Sequence, residues 1–143
     1  TLYEDKKGRF FIGSLNGLQI YDRATDSFTT IPMYLSSGDP IAPNIATILE
    51  RNNGEILIGT SGHSMFILET KGDSINAKQI SQFIPSNLII YTYEDKKGNL
   101  WIATGDNGIF RFDKNNQSKH YTGDKDIAKN TVSSMCEDEQ DNL

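Results

Sequence analysis

Apolar residues along this chain fall in short bursts separated by polar turns. "IATILE" (Ile45 to Glu50) and "LIIYTYE" (Leu88 to Glu94) are rich in β-branched and aromatic residues. Each is followed by a polar turn and a second burst, "EILIGT" or "NLWIAT". No segment sustains a 3.6-residue apolar period with caps, so helices are expected to be absent or trivial. The turn between the first two strands has four residues ending in Gly8, Gly54 or Gly98. That suits a type I turn closed by a left-handed residue, where glycine carries no Cβ penalty. "SLNG", "TSGHS" and "TGDNG" then lead into a third strand, and "DRATDSF" and "DKNNQSKHY" into a poorer fourth around Phe28 to Ile31 and His120 to Tyr121.

These bursts repeat. "YEDKKG" stands at Tyr3 to Gly8 and again, unchanged, at Tyr93 to Gly98; "LERNNGEILIGT" (Leu49 to Thr60) lies between them. Anchored on Glu4, Glu50 and Glu94, the three segments align without a gap to Ser14, Thr60 and Thr104. "CEDEQDNL" starts a fourth copy at Glu137, with Asp141 where the others have glycine. Asn44, Asn87 and Asn130 form a further series, expected to be a turn device entering each inner strand. Four short antiparallel strands every 43 to 46 residues predict an all-β β-propeller fragment, with about three four-stranded blades and a partial fourth. The repeats are read as 1–46 (N-terminally truncated), 47–90, 91–133 and a start at 134–143, all parts of one larger propeller. The second strands are apolar at successive positions (Phe10 to Ile12, Ile56 to Ile58, Leu100 to Ile102), as in strands covered on both faces. The small residues Gly13, Gly59 and Ala103 follow, where neighbouring blades must approach closely.

"YEDKKGNLWIATGDNGIFRFD" (Tyr93 to Asp113) resembles the two-component regulator propeller repeat: Glu-Asp, a turn, Gly-Asn-Leu-Trp-Ile-Gly-Thr, Gly-Gly-Leu, and an aromatic strand ending in Asp. The resemblance covers essentially the whole chain. Phe11 and Leu57 replace the Trp, and Ser64 replaces a glycine before the third strand. The resemblance implies a periplasmic sensor segment of a membrane-anchored hybrid histidine kinase, of the kind found in glycan-foraging bacteria. It implies detection of a carbohydrate ligand, with the kinase and phosphorelay elsewhere in the parent chain. A propeller glycosidase or lyase and a protein-interaction scaffold are the competing readings.

Composition narrows the chemistry. A net charge of −5 without any basic run argues against nucleic acid as a partner. No apolar stretch approaches the roughly 20 residues of a membrane span, so no membrane contact is expected in this segment. Cys136 is the single cysteine; its apolar context reads as a small buried filler. The absence of an initial Met and the interrupted fourth motif are read as marks of a longer protein. The Glu-Asp pairs sit at strand ends before tight turns, where turn chemistry is the expected role and not acid–base catalysis. "EDEQDN" lacks the central Gly and terminal Glu of a calcium loop, and "GTSGHS" fails the nucleophile-elbow pattern. No catalytic residue, metal or cofactor is expected.

Trp101 is expected in the core between blades, and His120 on ordinary surface. Candidate ligand contacts lie in the turns between second and third strands and in the long stretch Ile31 to Asn44. They are Asn16, Tyr34, His63, Asp106 and Asn107. The two outermost blades would each leave an apolar face open, so the isolated piece is expected to self-associate or fold only marginally, its natural partners being further blades of the parent chain.

Overall fold

The computed structural model describes residues 1–80, 85–123 and 131–142. Blade 1 is the antiparallel meander β1 (Leu2–Glu4), β2 (Phe10–Ser14), β3 (Gly17–Asp22) and β4 (Ser27–Ile31). Two short strands follow, β5 (Met33–Tyr34) and β6 (Pro40–Ile41). Blade 2 continues with β7 (Asn44–Glu50), β8 (Ile56–Ser61), β9 (Met65–Lys71) and β10 (Ser74–Ile80). Blade 3 is β11 (Ile89–Glu94), β12 (Leu100–Thr104), β13 (Ile109–Phe112) and β14 (Ser118–Tyr121). No helix occurs among the described residues.

The fold differs from four equal strands per blade. The stretch from Ile31 to Asn44, read as a long loop, supplies the β5–β6 hairpin, which extends blade 2 into the six-stranded order β6-β5-β10-β9-β8-β7. β5 runs parallel to β10, pairing Ala77 with Met33 and Lys78 with Tyr34, and the Ala77 amide donates to the Pro32 carbonyl at 2.8 Å. The chain therefore passes from the outer strand of blade 1 onto the outer edge of blade 2, strapping the two together. That edge ends in Pro40, which cannot donate to a further strand.

Blades stack through the second-strand triplets. Phe11, fully buried, packs with Ile45, Ile56, Ile58 and Phe66 of blade 2; Leu57 and Met65 of blade 2 pack with Leu100, Ile102, Phe110 and Phe112 of blade 3. Alternation sends Phe11 and Leu57 forward and Ile56, Ile58, Leu100 and Ile102 backward, so an unbroken apolar run serves two interfaces. Gly13 and Gly59 set the spacing. A Cβ on Gly13 would lie 2.5 Å from Ile45 Cγ2, and one on Gly59 would lie 2.6 Å from both Ile89 Cγ2 and Thr47 Cγ2. Between blades 2 and 3 the buried hydroxyls of Thr47 and Thr92 satisfy each other at 3.1 Å.

The fourth repeat and the residues leading into it lie against blade 3. The Thr131 hydroxyl donates to the Gly105 carbonyl at 2.7 Å, and the Val132 amide to the Thr104 carbonyl at 3.4 Å. Trp101 occupies the place of Phe11 and Leu57 and is half-buried on this side, stacked on Tyr121 with ring centroids 5.7 Å apart. Cys136 is exposed, contrary to the expectation of a buried filler. It stands where Tyr3, Leu49 and Tyr93 stand, and Leu49 packs against the core shared with the following blade. Among the described residues no blade follows the fourth repeat.

Candidate functional site

The acidic pairs divide their work. The Asp closes its own turn. Asp5 Oδ1 accepts the amides of Lys7 and Arg9 at 3.0 and 2.8 Å, and Asp138 Oδ1 accepts those of Gln140 and Asn142 at 2.8 Å each. Asp95 accepts the Asn99 amide and amino group at 2.7 Å each and the Trp101 indole N–H at 2.8 Å. Burial, the largest single influence, raises the Asp5 and Asp95 carboxyls. The combined donors, Arg9 for the first and Trp101 with Asn99 for the second, outweigh it and hold both below the ordinary carboxylate range. Blade 2 carries Arg51 at this place, and Asn53 Oδ1 takes over by accepting the Glu55 amide. Asp141 adopts φ +61°, matching the left-handed Gly8, Gly54 and Gly98.

The Glu reaches a different blade. Glu50 Oε2 accepts the Lys6 amide at 2.8 Å, Glu94 Oε2 the Asn52 amide at 2.5 Å, and Glu137 Oε2 the Lys96 amide at 3.0 Å. Each repeat thus latches the first turn of the repeat before it. Lysine adds a second strand to the latch: Lys6 Nζ donates to the Arg51 carbonyl at 3.4 Å, and Lys96 Nζ to the Asp138 carbonyl at 2.7 Å. Arg51 pairs with Glu94 at 3.2 Å. These carboxylates are held by turns and latches. Among the described residues no three His, Cys, Asp or Glu side chains converge on a point where a metal could sit.

The meander puts the first and third turns of a blade at one rim and the second turn, with the crossing to the next blade, at the other. At this second rim the hydroxyls of Ser14, Thr60 and Thr104 repeat one device. Each donates to the carbonyl that opens the third strand (Gly17, Ser64 or Gly108) at 3.1, 2.8 and 2.9 Å. Each also accepts the amide of a turn residue, Asn16, His63 or Asn107. Three of the residues singled out from sequence therefore occupy equivalent places on one rim. Ser64 takes φ +59° where Gly17 and Gly108 stand, and it is buried.

Neighbouring segments brace these turns. In blade 2, Gln79 Nε2 donates to the His63 carbonyl at 2.9 Å, while Gln79 Oε1 accepts the Ser36 amide and hydroxyl at 3.2 Å. Gln79 so joins the turn of His63 to the hairpin bearing Tyr34, beside a 510 Å³ pocket lined by Tyr34, Ser36, Lys78 and Gln79. His63 is half-buried, and its Nδ1 is buried without a hydrogen-bond partner. In blade 3, His120 replaces Gln79. Its Nε2 lies 2.6 Å from the Asn107 carbonyl, which can only accept, so Nε2 carries the proton; the ring stacks on Phe110 with centroids 4.1 Å apart. His120 is thus a brace on an otherwise exposed strand. Asp106 accepts the hydroxyl of buried Ser86 at 2.7 Å. Asn16 is exposed and has no such brace from β4.

The asparagine series resolves differently. Pro43 and Asn87 are the equivalent pair: the Pro43 carbonyl accepts the Gly17 amide at 2.9 Å, and the Asn87 carbonyl accepts those of Gly62 and Ser64 at 2.8 and 3.1 Å. Asn44 lies one place later, in β7, because β7 and β11 share a 44-residue register. The device is a backbone carbonyl, indifferent to side chain. Asn130 lies outside the described residues. Sequence reasoning missed Gln79, Ser36 and Ser86, which carry no motif and act only through the tertiary arrangement.

Residues 84–106 match the family model described as two component regulator propeller. Three solved structures have the same fold. The extracellular domain of BT4673 from B. thetaiotaomicron, described in one structure as belonging to a hybrid two component system, aligns with a TM-score of 0.78 at 19% identity over 98% of this chain. A second structure of that domain, described there as belonging to a one component system, gives 0.79 at 19% identity over 99%. The extracellular domain of BT3049 from the same organism, described as belonging to a hybrid two component system, gives 0.70 at 20% identity over 99%. The chain spans about a fifth of their length: 20%, 21% and 18%. A search of curated proteins gave no match. The chain is a segment of a β-propeller, built from blades like those of these extracellular domains.

Proposed function

We propose that this chain is part of an extracytoplasmic, periplasm-facing ligand-sensing propeller whose rim of second turns detects an oligosaccharide and whose parent protein passes the signal to a histidine kinase. The observation that carries the reading is the row of Asn16, His63 and Asn107 on one rim, flanked by Tyr34 and Asp106, on a scaffold of the sensor-domain fold. Amide, imidazole, carboxylate and phenol groups, with the turns of His63 and Asn107 braced, suit a neutral, hydroxyl-rich ligand, which is bound by many modest hydrogen bonds. A non-catalytic role is supported by the acidic residues. Asp5, Asp95, Glu50 and Glu94 are engaged by backbone amides, and none is presented with a partner suited to acid–base work.

The test is calorimetric titration of the longer protein's extracytoplasmic region with a panel of oligosaccharides. The expected result is binding that weakens about tenfold in His63→Ala and in Asn107→Ala, one or two hydrogen bonds' worth. Binding unaffected by both substitutions, or no binding across the panel, would remove the rim from the reading.

A further inference from the structure

A cleft of 650 Å³ lies between the outer strands of blade 1 and the start of β10 in blade 2. The strap explains why it is there. In the parallel ladder Ala77 pairs with Met33, and its amide reaches the Pro32 carbonyl at 2.8 Å. Two residues earlier, Ile75 would pair with Ile31, and its carbonyl would need the amide of residue 32, a proline that has none. Ile31 belongs instead to blade 1, where it pairs with Leu18. The ladder stops, and the amide and carbonyl of Ile75 on that edge have no partner among the described residues. Ile75 lines the cleft.

One short residue keeps the space open. Strand pairing sets Thr29 opposite Ile20, Lys78 opposite Ile67 and Lys119 opposite Arg111, three equivalent places. Both lysines lie over their own blades: Lys78 Nζ meets Glu69 at 3.0 Å, and Lys119 Nζ is 4.6 Å from the centre of the Tyr121 ring. Thr29 cannot reach so far, and the space over Ile20 stays open, bounded by Ile31, Pro32 and Ile75. At the end near the first and third turns stands Arg9. Asp5 holds it through Nε at 2.7 Å, and it lies 5.3 Å from the centre of the Phe11 ring. Its two terminal nitrogens have no partner among the described residues. Of the acidic neighbours, Asp22 already accepts the Ala24 amide at 2.8 Å, and Asp73 is exposed in the turn.

We propose that this cleft binds the C-terminal end of a short peptide, laid as an extra strand along the edge that Pro32 leaves free. The peptide runs antiparallel to β10, and one of its residues exchanges both backbone hydrogen bonds with Ile75. The apolar side chain of that residue rests on Ile20, Ile31 and Pro32. Because β10 starts at the rim of the first and third turns, an antiparallel peptide ends there, with its carboxylate at the open edge of the Arg9 fork. The occupant follows from what the cleft leaves unpaired: a backbone donor and acceptor side by side, an apolar floor, and a guanidinium already fixed by Asp5 and Phe11. A fatty acid would meet the floor and Arg9 but leave Ile75 unpaired. The cleft is distinct from the rim of second turns, so failure of oligosaccharide binding there leaves this inference untouched.

Calorimetric titration of the longer protein's extracytoplasmic region with a leucine-centred tripeptide tests it. The comparison ligands are the same peptide N-methylated at leucine, amidated at its C-terminus, or acetylated at its N-terminus. The tripeptide is expected to bind, the acetylated form equally well, and the N-methylated and amidated forms about tenfold or more weaker, for one hydrogen bond or one charged pair lost. Thr29→Met, which refills the cleft without adding charge, and Arg9→Gln are each expected to weaken binding about tenfold or more. Thr29 is exposed, so its variant decides the matter even if Arg9→Gln disturbs the turn that Asp5 holds. The proposal is overturned if the tripeptide does not bind at millimolar concentration. It is overturned equally if the N-methylated or amidated form binds as well as the parent peptide, if acetylation abolishes binding, or if Thr29→Met or a folded Arg9→Gln leaves binding unchanged.

Discussion

Substituting Gly59 by alanine isolates the contact that sets the distance between blades 2 and 3. Gly59 has no positive φ, so alanine is conformationally allowed there. On backbone grounds alone it would stabilise by about 0.4–1 kcal/mol, through a less free unfolded chain. The new methyl, however, would sit 2.6 Å from Ile89 Cγ2 and Thr47 Cγ2 and 3.1 Å from Ile89 Cβ. Both neighbours are buried and β-branched, with little rotamer freedom to retreat. Overpacking of this kind costs about 1–3 kcal/mol, which outweighs the backbone gain and leaves a net loss of about 1–2 kcal/mol. Urea unfolding followed by Trp101 fluorescence and near-UV dichroism measures it: at a slope of about 2 kcal/mol per molar, the midpoint falls by about 0.5–1 M. Ile89→Ala alone costs about 2–5 kcal/mol. Combined with Gly59→Ala it should cost less than the sum by about 1 kcal/mol, because the new methyl enters the space vacated. A midpoint for Gly59→Ala equal to or above that of the parent, or strict additivity in the pair, would refute the claim that this glycine sets the blade spacing.

Four other outcomes are expected. Glu94→Ala removes the latch to Asn52 and strips Arg51 of a partner in a mostly buried site, and should lower unfolding stability by about 1.5–3 kcal/mol; Glu4→Ala, with only an exposed ion pair to lose, should stay within about 0.5 kcal/mol in the isolated chain. Ser64→Gly relieves a left-handed residue and should raise stability by about 1 kcal/mol, while Gly108→Ala should lower it, since a Cβ there collides with the Tyr121 carbonyl. Asp5 and Asp95 have depressed folded-state values, so their contribution is full above the ordinary carboxylate range and is lost as pH falls through the lowered values; Asp95→Asn should be less stable at neutral pH and flatter in acid, read as urea midpoints from pH 6 to pH 2. The isolated chain should sediment as associated species at micromolar concentration, because Leu2 and Phe28 leave an apolar face open; a monodisperse monomer would count against this.

The turns were readable from sequence because they are local. Gly8, Gly54 and Gly98 must adopt positive φ, and Asp5 and Asp95 cap amides two to four residues onward, so the pattern declares itself within one hexapeptide. The Glu latch was not readable. Its partner is a backbone amide more than 40 residues earlier, which any residue can supply; Lys6 and Asn52 serve equally. The β5–β6 hairpin was hidden for a different reason. Pro32, Pro40 and Pro43 signal a loop, and two-residue strands are too short to show alternation. Of the rim, Asn16, His63 and Asn107 could be placed because their turns repeat. The hairpin bearing Tyr34 and the turn of His63 are joined by Gln79, whose role depends on a parallel pairing that no periodicity encodes.

The latch has a consequence for how such arrays lengthen. Acceptor and donor belong to the same stretch of chain but face opposite neighbours: in blade 2, Glu50 receives from the turn before it and Asn52 gives to the carboxylate after it. Any segment cut at the same phase of the repeat therefore carries one complete half-joint at each end. Duplication or loss of a whole segment leaves each surviving carboxylate opposite a turn amide, and no compensating substitution is needed. Only a cut between the Glu and its turn, as between Glu50 and Asn52, would divide the two halves of the joint. The unit that can be copied is thus one full period of the chain, and the backbone part of the latch is carried with it.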